Sequence, residues 1–203
     1  MHTIQNNLLK SHSTQKDRSP LKLDKKKLKK AATVTLQEVE SIKLKYSELF
    51  ERANHATFDI FEFTDNIGRT NSLPHLMTYM LKNLPDIDPY VGCYDFNKVV
   101  AFFSKIQQGY RESIAYHNDL HAADVSQMIY YFLKTTNLNN IAELNHLDMV
   151  SMLTAAACHD FDHDGFTNTY HVSMMTERSV RYHDECVQEN YHTAEAMAIL
   201  VKP

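Results

Sequence analysis

The sequence has 203 residues, 43% of them hydrophobic, so it is long enough to form one domain with its own core. It contains only four Gly and five Pro, which argues against a turn-rich all-β fold. The net charge is −4, and the acidic body of the chain argues against nucleic acid as the main partner.

Residues 1–34 are predicted to form a basic, disordered tail. Residues 1–30 hold nine Lys or Arg against two Asp, a net charge of +7, whereas the remainder holds 12 basic and 23 acidic residues, a net charge of −11. We expect a solvated arm; the alternative is a weak contact of residues 22–30 with a membrane surface, at about 1 kcal/mol per basic residue. Three scattered Cys and an N-terminus without an apolar leader favour a cytoplasmic protein, with a membrane-peripheral location as the alternative.

From Thr35 onwards, hydrophobic residues recur at helical spacing, which predicts an all-α domain over residues 35–203. Thr35 and Glu38 have the spacing of a capping box and predict the start of the first helix. No segment shows the alternation of a strand, and residues 85–92 are predicted to be a connection. The later apolar stripes predict helices over residues 73–81, 99–106, 125–133, 144–157 and 188–201.

The stretch YHNDLHAADV, residues 116–125, is the first candidate for chemistry. His117, His121 and Asp124 are spaced i, i+4 and i+7, which on a helix places them on one stripe beside the core. A His pair at this spacing is a known metal-ligand geometry, although the spacing alone is not specific.

The stretch AACHDFDHDGFTN, residues 156–168, is the second candidate. An apolar run predicts a buried helix that ends near His159 and Asp160, and His163 shares their face if the helix continues towards Gly165. Burying an unpaired carboxylate costs several kcal/mol or forces protonation. Because a bound cation removes that cost, the pattern predicts a site for an ion of the Zn, Mn or Mg type, with hydrogen-bonded core histidines as the alternative.

Together these stretches resemble the class I cyclic nucleotide phosphodiesterases. Residues 116–125 match the family pattern YHNxxHAxDV, and residues 159–168 match HDxxHxxxxN about 40 positions later, as in the family. Residues 181–192, RYHDECVQENYH, resemble the family segment YNDxSVLENHH. The resemblance covers roughly residues 50–201 and implies a multi-helix, HD-superfamily-like metallohydrolase fold.

The activity that this resemblance implies is hydrolysis of the 3′,5′-cyclic phosphate of cAMP or cGMP, with two divalent metal ions, Zn together with Mg or Mn. The implied metal ligands are His121, His159 and Asp160, with Asp160 shared by both ions. The implied general acid is His117, which would protonate the departing O3′. The implied substrate contacts are Tyr116, His117 and Asp160. The implied supporting residues around these groups are Asp124, His163, Asn168, Glu185 and His192.

The sequence departs from the family pattern at several positions. Asp164 stands where many relatives have Pro, His183 replaces an Asn, and Cys186 replaces a Ser. The resemblance also places a fourth metal-binding Asp, a purine-binding Gln and an aromatic clamp in a C-terminal half that has no counterpart in residues 1–203. We therefore expect these residues to correspond to the N-terminal portion of a catalytic domain that is not competent alone. Two alternatives are an inactive metal-binding or interaction fragment and an HD-type hydrolase of another phosphate ester.

Overall fold

A computed structural model describes residues 34–201, and within that range the secondary structure is helical, without strands. This confirms the all-α prediction. Residues 1–33 of the predicted tail, including residues 22–30, lie outside the described residues, and no helix within 34–201 is both long and apolar enough to cross a membrane. The eleven α helices are α1 (Leu36–Lys45), α2 (Ser47–Glu51), α3 (Ile60–Ile67), α4 (Arg69–Lys82), α5 (Phe96–Gly109), α6 (Asp119–Thr135), α7 (Leu138–Ile141), α8 (His146–Cys158), α9 (Asn168–Ser173), α10 (Glu177–Arg181) and α11 (Val187–Leu200).

The predicted ranges 73–81, 99–106 and 125–133 lie within α4, α5 and α6, whereas 144–157 begins two residues before α8 and 188–201 ends one residue after α11. The capping box is confirmed, since the Glu38 amide donates to the Thr35 hydroxyl at 3.2 Å and the Thr35 amide donates to the Glu38 carboxylate at 2.7 Å. Residues 85–92 are not a plain connection, because a 3₁₀ helix spans Asp88–Cys93.

The centre of the core is α4, in which every residue from 72 to 81 is buried. It packs against α5, α6 and α8, and α6 packs in turn against α8. Each fully buried Leu or Met side chain in such a helix stabilises the fold by about 1.5–3 kcal/mol. The packing of α6 on α8 matters for function because it brings the start of α6 close to the end of α8.

The positions at which α6 begins and α8 ends correct two sequence-based expectations. The side chain of Asn118 accepts hydrogen bonds from the amides of Leu120 and His121, so α6 begins at residue 119. His117 therefore precedes the helix and does not share a stripe with His121. Likewise α8 ends at Cys158, so His163 lies in the following turn rather than on one helical face with His159.

The turn after α8 is fixed to the core through Phe161. This ring is buried, and it packs edge-on against Tyr110 with the ring centroids 5.9 Å apart. A Cβ atom added to Gly109 would lie 2.1 Å from the Phe161 ring, so only glycine leaves room for this contact at the end of α5. The position of Phe161 in turn sets the backbone beside Asp160.

We predict that Gly109→Ala lowers the free energy of unfolding by about 1–3 kcal/mol, because the added methyl overpacks the Phe161 ring. Gly92→Ala is the matched control, since a Cβ at Gly92 meets no atom within 4 Å. Urea denaturation followed by circular dichroism measures both variants. Equal stability of Gly109→Ala and Gly92→Ala would contradict the close contact with Phe161.

Candidate metal centre

Three parts of the fold meet at the candidate site. The start of α6 supplies His121, the turn after α8 supplies His159 and Asp160, and α11 supplies His192 from behind. His117, just before α6, reaches the same carboxylate from another side. The structure thus brings together the two His-rich stretches that are about 40 residues apart in the sequence.

His121, His159 and Asp160 place three potential ligand atoms at the corners of one triangle. The Nε2 atoms of His121 and His159 are 3.2 Å apart, and Asp160 Oδ2 lies 3.1 Å from His159 Nε2 and 3.6 Å from His121 Nε2. Ligands bound at about 2.0–2.2 Å to one cation lie roughly 2.8–3.6 Å from each other in octahedral or tetrahedral geometry. The donor set and its spacing therefore fit one divalent cation.

Hydrogen bonding also leaves His159 ready to act as a ligand. Its Nδ1 atom donates to the carbonyl oxygen of Ala156 at 2.8 Å, which assigns the proton to Nδ1 and leaves the Nε2 lone pair directed towards His121 and Asp160. Metal-binding histidines commonly have such a second hydrogen bond, which fixes the tautomer and the ring orientation.

The protonation equilibria of Asp160 and His121 also favour the ligand forms. Burial acts to raise the pKa of Asp160, but the neighbouring imidazoles of His159 and His117 outweigh it and hold that pKa well below its usual range. Burial and the neighbouring His159 lower the pKa of His121. A carboxylate and a neutral imidazole are the states that coordinate a cation.

Asp160 Oδ2 also accepts a hydrogen bond from His117 Nδ1 at 2.7 Å. The ring of His163 stacks on that of His117, with the centroids 4.2 Å apart. The ring of His192 stacks in turn on that of His163, with the centroids 5.4 Å apart. His192 is anchored by its Nδ1 atom, which donates to the Phe161 carbonyl at 2.6 Å, while its buried Nε2 atom has no hydrogen-bond partner among the described residues. His163 and His192 therefore form a row of imidazole rings with His117 beside the carboxylate.

Three further residues predicted from the sequence are Tyr116, Asp124 and Asn168. Tyr116 is exposed, and its ring lies 4.4 Å from that of His121. Asp124 is exposed on α6, and its charge favours the protonated form of His121. Asn168 contacts the first turn of α11, because its side-chain oxygen accepts a hydrogen bond from the Gln188 amide at 2.8 Å.

Glu185 precedes α11, whereas Glu189 lies on that helix and its pKa is influenced by the charges of His192 and Asp160. Glu185 is exposed on the turn before α11, and its backbone carbonyl accepts from Asn190. Glu189 accepts from the Asn168 side chain at 2.9 Å, which lowers its pKa, while the charge of Asp160 acts in the opposite direction. The sequence held a signal for Glu189, since it lies three residues before His192 and thus on the same helical face.

The segment that carries these residues matches a known protein family. Residues 116–203, which include all the predicted site residues, match the family model for 3′5′-cyclic nucleotide phosphodiesterase. The chain is 36% identical over 145 residues to the 3′,5′-cyclic-nucleotide phosphodiesterase regA of Dictyostelium discoideum, covering 70% of this chain and 17% of that protein. It is 33% identical over 157 residues to the dual specificity calcium/calmodulin-dependent 3′,5′-cyclic nucleotide phosphodiesterase 1 of Drosophila melanogaster, covering 75% and 18%. The chain thus spans less than a fifth of the length of either relative.

We predict that His159→Ala weakens Zn²⁺ binding by more than about 100-fold, because losing an outer partner of a ligand alone costs roughly 10–100-fold. His55→Ala is the control, since His55 is exposed and belongs to neither group of ligand atoms around Asp160. Isothermal titration with Zn²⁺ measures both. Equal affinity of His159→Ala and wild type would remove His159 from the centre.

Proposed function

The chain belongs to the class I 3′,5′-cyclic nucleotide phosphodiesterase family through its residues 116–203, and we propose that it hydrolyses cAMP, cGMP or both to the 5′-monophosphate. The observation that carries the proposal is the arrangement around Asp160, whose Oδ2 atom lies within 3.6 Å of a nitrogen of His117, His121 and His159. All of these residues lie in the segment that matches the family.

In this proposal His121, His159 and Asp160 hold a divalent cation, Zn²⁺ being the best match to two imidazoles and a carboxylate. Asp160 also belongs to a second group of possible ligand atoms, with His117 and His163, in which the atoms lie within 4.8 Å of one another. This supports Asp160 as the residue that a second ion, Mg²⁺ or Mn²⁺, would share. Divalent cations at such a site supply positive charge against the phosphodiester anion and lower the pKa of water.

His117 is proposed as the general acid. Its Nδ1 atom is engaged by Asp160, so Nε2 is the nitrogen that exchanges a proton with the substrate. Its side chain is 40% exposed, which leaves it accessible to a bound nucleotide. Because the O3′ alkoxide is a poor leaving group, proton donation in the transition state accelerates its departure by about 10²–10⁴-fold.

The proposed function and its two alternatives make different predictions for a complete catalytic domain that contains these residues, assayed with Zn²⁺ and Mg²⁺. A cyclic nucleotide phosphodiesterase opens the ring of cAMP or cGMP. Another HD-type hydrolase cleaves a generic ester such as bis(p-nitrophenyl) phosphate and leaves both cyclic nucleotides intact. A metal-binding fragment retains the ions and cleaves none of these substrates.

In a complete catalytic domain that contains these residues, we predict that His117→Ala lowers kcat for the cyclic nucleotide by about 10²–10⁴-fold while the metal content stays at the wild-type value, because His117 moves a proton. Steady-state kinetics and elemental analysis of the same preparation measure the two quantities, again with His55→Ala as the control. Undiminished kcat would exclude His117 as the acid, and loss of metal would make it a ligand.

A further inference from the structure

The backbone of the turn that carries Asp160 and His163 includes two residues with positive φ. Asp162 has φ +55° and Gly165 has φ +88°, and a non-glycine residue in the left-handed region is strained by about 1 kcal/mol or more. Such a conformation persists only where the surrounding structure holds it in place.

The support comes from the two carboxylates that flank His163 in the sequence. Asp162 accepts a hydrogen bond from Arg111 Nε and another from the Tyr191 hydroxyl, both at 2.6 Å. Asp164 accepts from Gln188 Nε2 at 3.0 Å and forms an ion pair with Arg178 at 3.1 Å. The residues on either side of His163 are therefore both tied to other parts of the fold.

Arg178 is the centre of this network, although it lies on α10, away from the predicted site residues. It is 9% exposed, and its Nη1 atom donates to Gln188 Oε1 at 2.7 Å. Its guanidinium group lies 3.4 Å from the centre of the Tyr191 ring, and its Nη2 atom is 4.0 Å from Asp162. A planar, forked cation is suited to this role, because it stacks on an aromatic ring and donates in several directions at once.

Two partners in the network are departures from the family patterns described above. Asp164 stands where many relatives have Pro, and Gln188 stands at the Leu of the segment YNDxSVLENHH. Both departures introduce polar groups at partly or fully buried positions, and these groups satisfy each other and Arg178. Burying such groups without partners would be costly, so the three residues depend on one another.

We propose that Arg178 is a positioning residue: it holds the backbone of the turn 159–167 in its observed conformation and thereby positions Asp160 and His163. This inference rests on the proposed function for its consequence at the metal centre. Arg178 acts through Asp164 and Gln188, and it touches neither the metal ligands nor the substrate in this role.

The test compares Arg178→Lys, which keeps the charge and loses the forked donors, with Arg181→Gln, an exposed neighbour on α10. Asp164→Asn is the second variant, because it removes the negative charge that pairs with Arg178 and preserves the shape. We expect Zn²⁺ affinity to fall by about 10–100-fold in both network variants. We also expect faster hydrogen exchange of the amides of residues 159–168 in the metal-free protein, with no change in Arg181→Gln.

The inference would be overturned if Arg178→Lys and Asp164→Asn kept the wild-type Zn²⁺ affinity and the wild-type hydrogen exchange, and only their melting temperature fell. Arg178 would then have a merely structural role. If the wild-type protein binds no Zn²⁺, the proposed function loses its metal centre, and the exchange of residues 159–168 decides the inference by itself. If Arg178→Lys does not fold, Asp164→Asn and its exchange pattern decide.

Discussion

A single carboxylate oxygen surrounded by imidazoles is the constraint on which the rest of the structure depends. The side chain of Asp160 is only 14% exposed, and its Oδ2 atom faces His117, His121 and His159. Removing a carboxylate from water is costly unless charged or hydrogen-bonding groups compensate for it. The fold supplies that compensation by packing α6 against α8, so that residues far apart in the sequence meet at one atom.

The hydrophobic core and the polar site are linked through two consecutive residues of the same turn. Asp160 faces the imidazoles, whereas Phe161 enters the core beside Gly109 and Tyr110. The Phe161 carbonyl also accepts from His192, so the backbone next to Asp160 is held both by packing and by a buried hydrogen bond. The core therefore determines the geometry of the site as well as the stability of the domain.

The sequence predicts the long helices well, because apolar periodicity is a short-range pattern. The resemblance of two short motifs to the phosphodiesterase family singles out His121, His159 and Asp160, and the structure brings these three side chains together. Periodicity does not predict where a helix stops. Asn118 excludes His117 from α6 by capping it, and positive φ at Asp162 removes His163 from α8. The role of Arg178 depends on partners 10 to 16 residues away, which no local pattern reveals.

The central claim, that Asp160 and two histidines form a divalent metal centre, is tested most directly by X-ray absorption at the Zn edge of the Zn²⁺-loaded protein. We expect nitrogen and oxygen scatterers at about 2.0–2.2 Å, with the outer-shell signal of two imidazole rings. A sulfur scatterer at about 2.3 Å, or a first shell without imidazole, would contradict it.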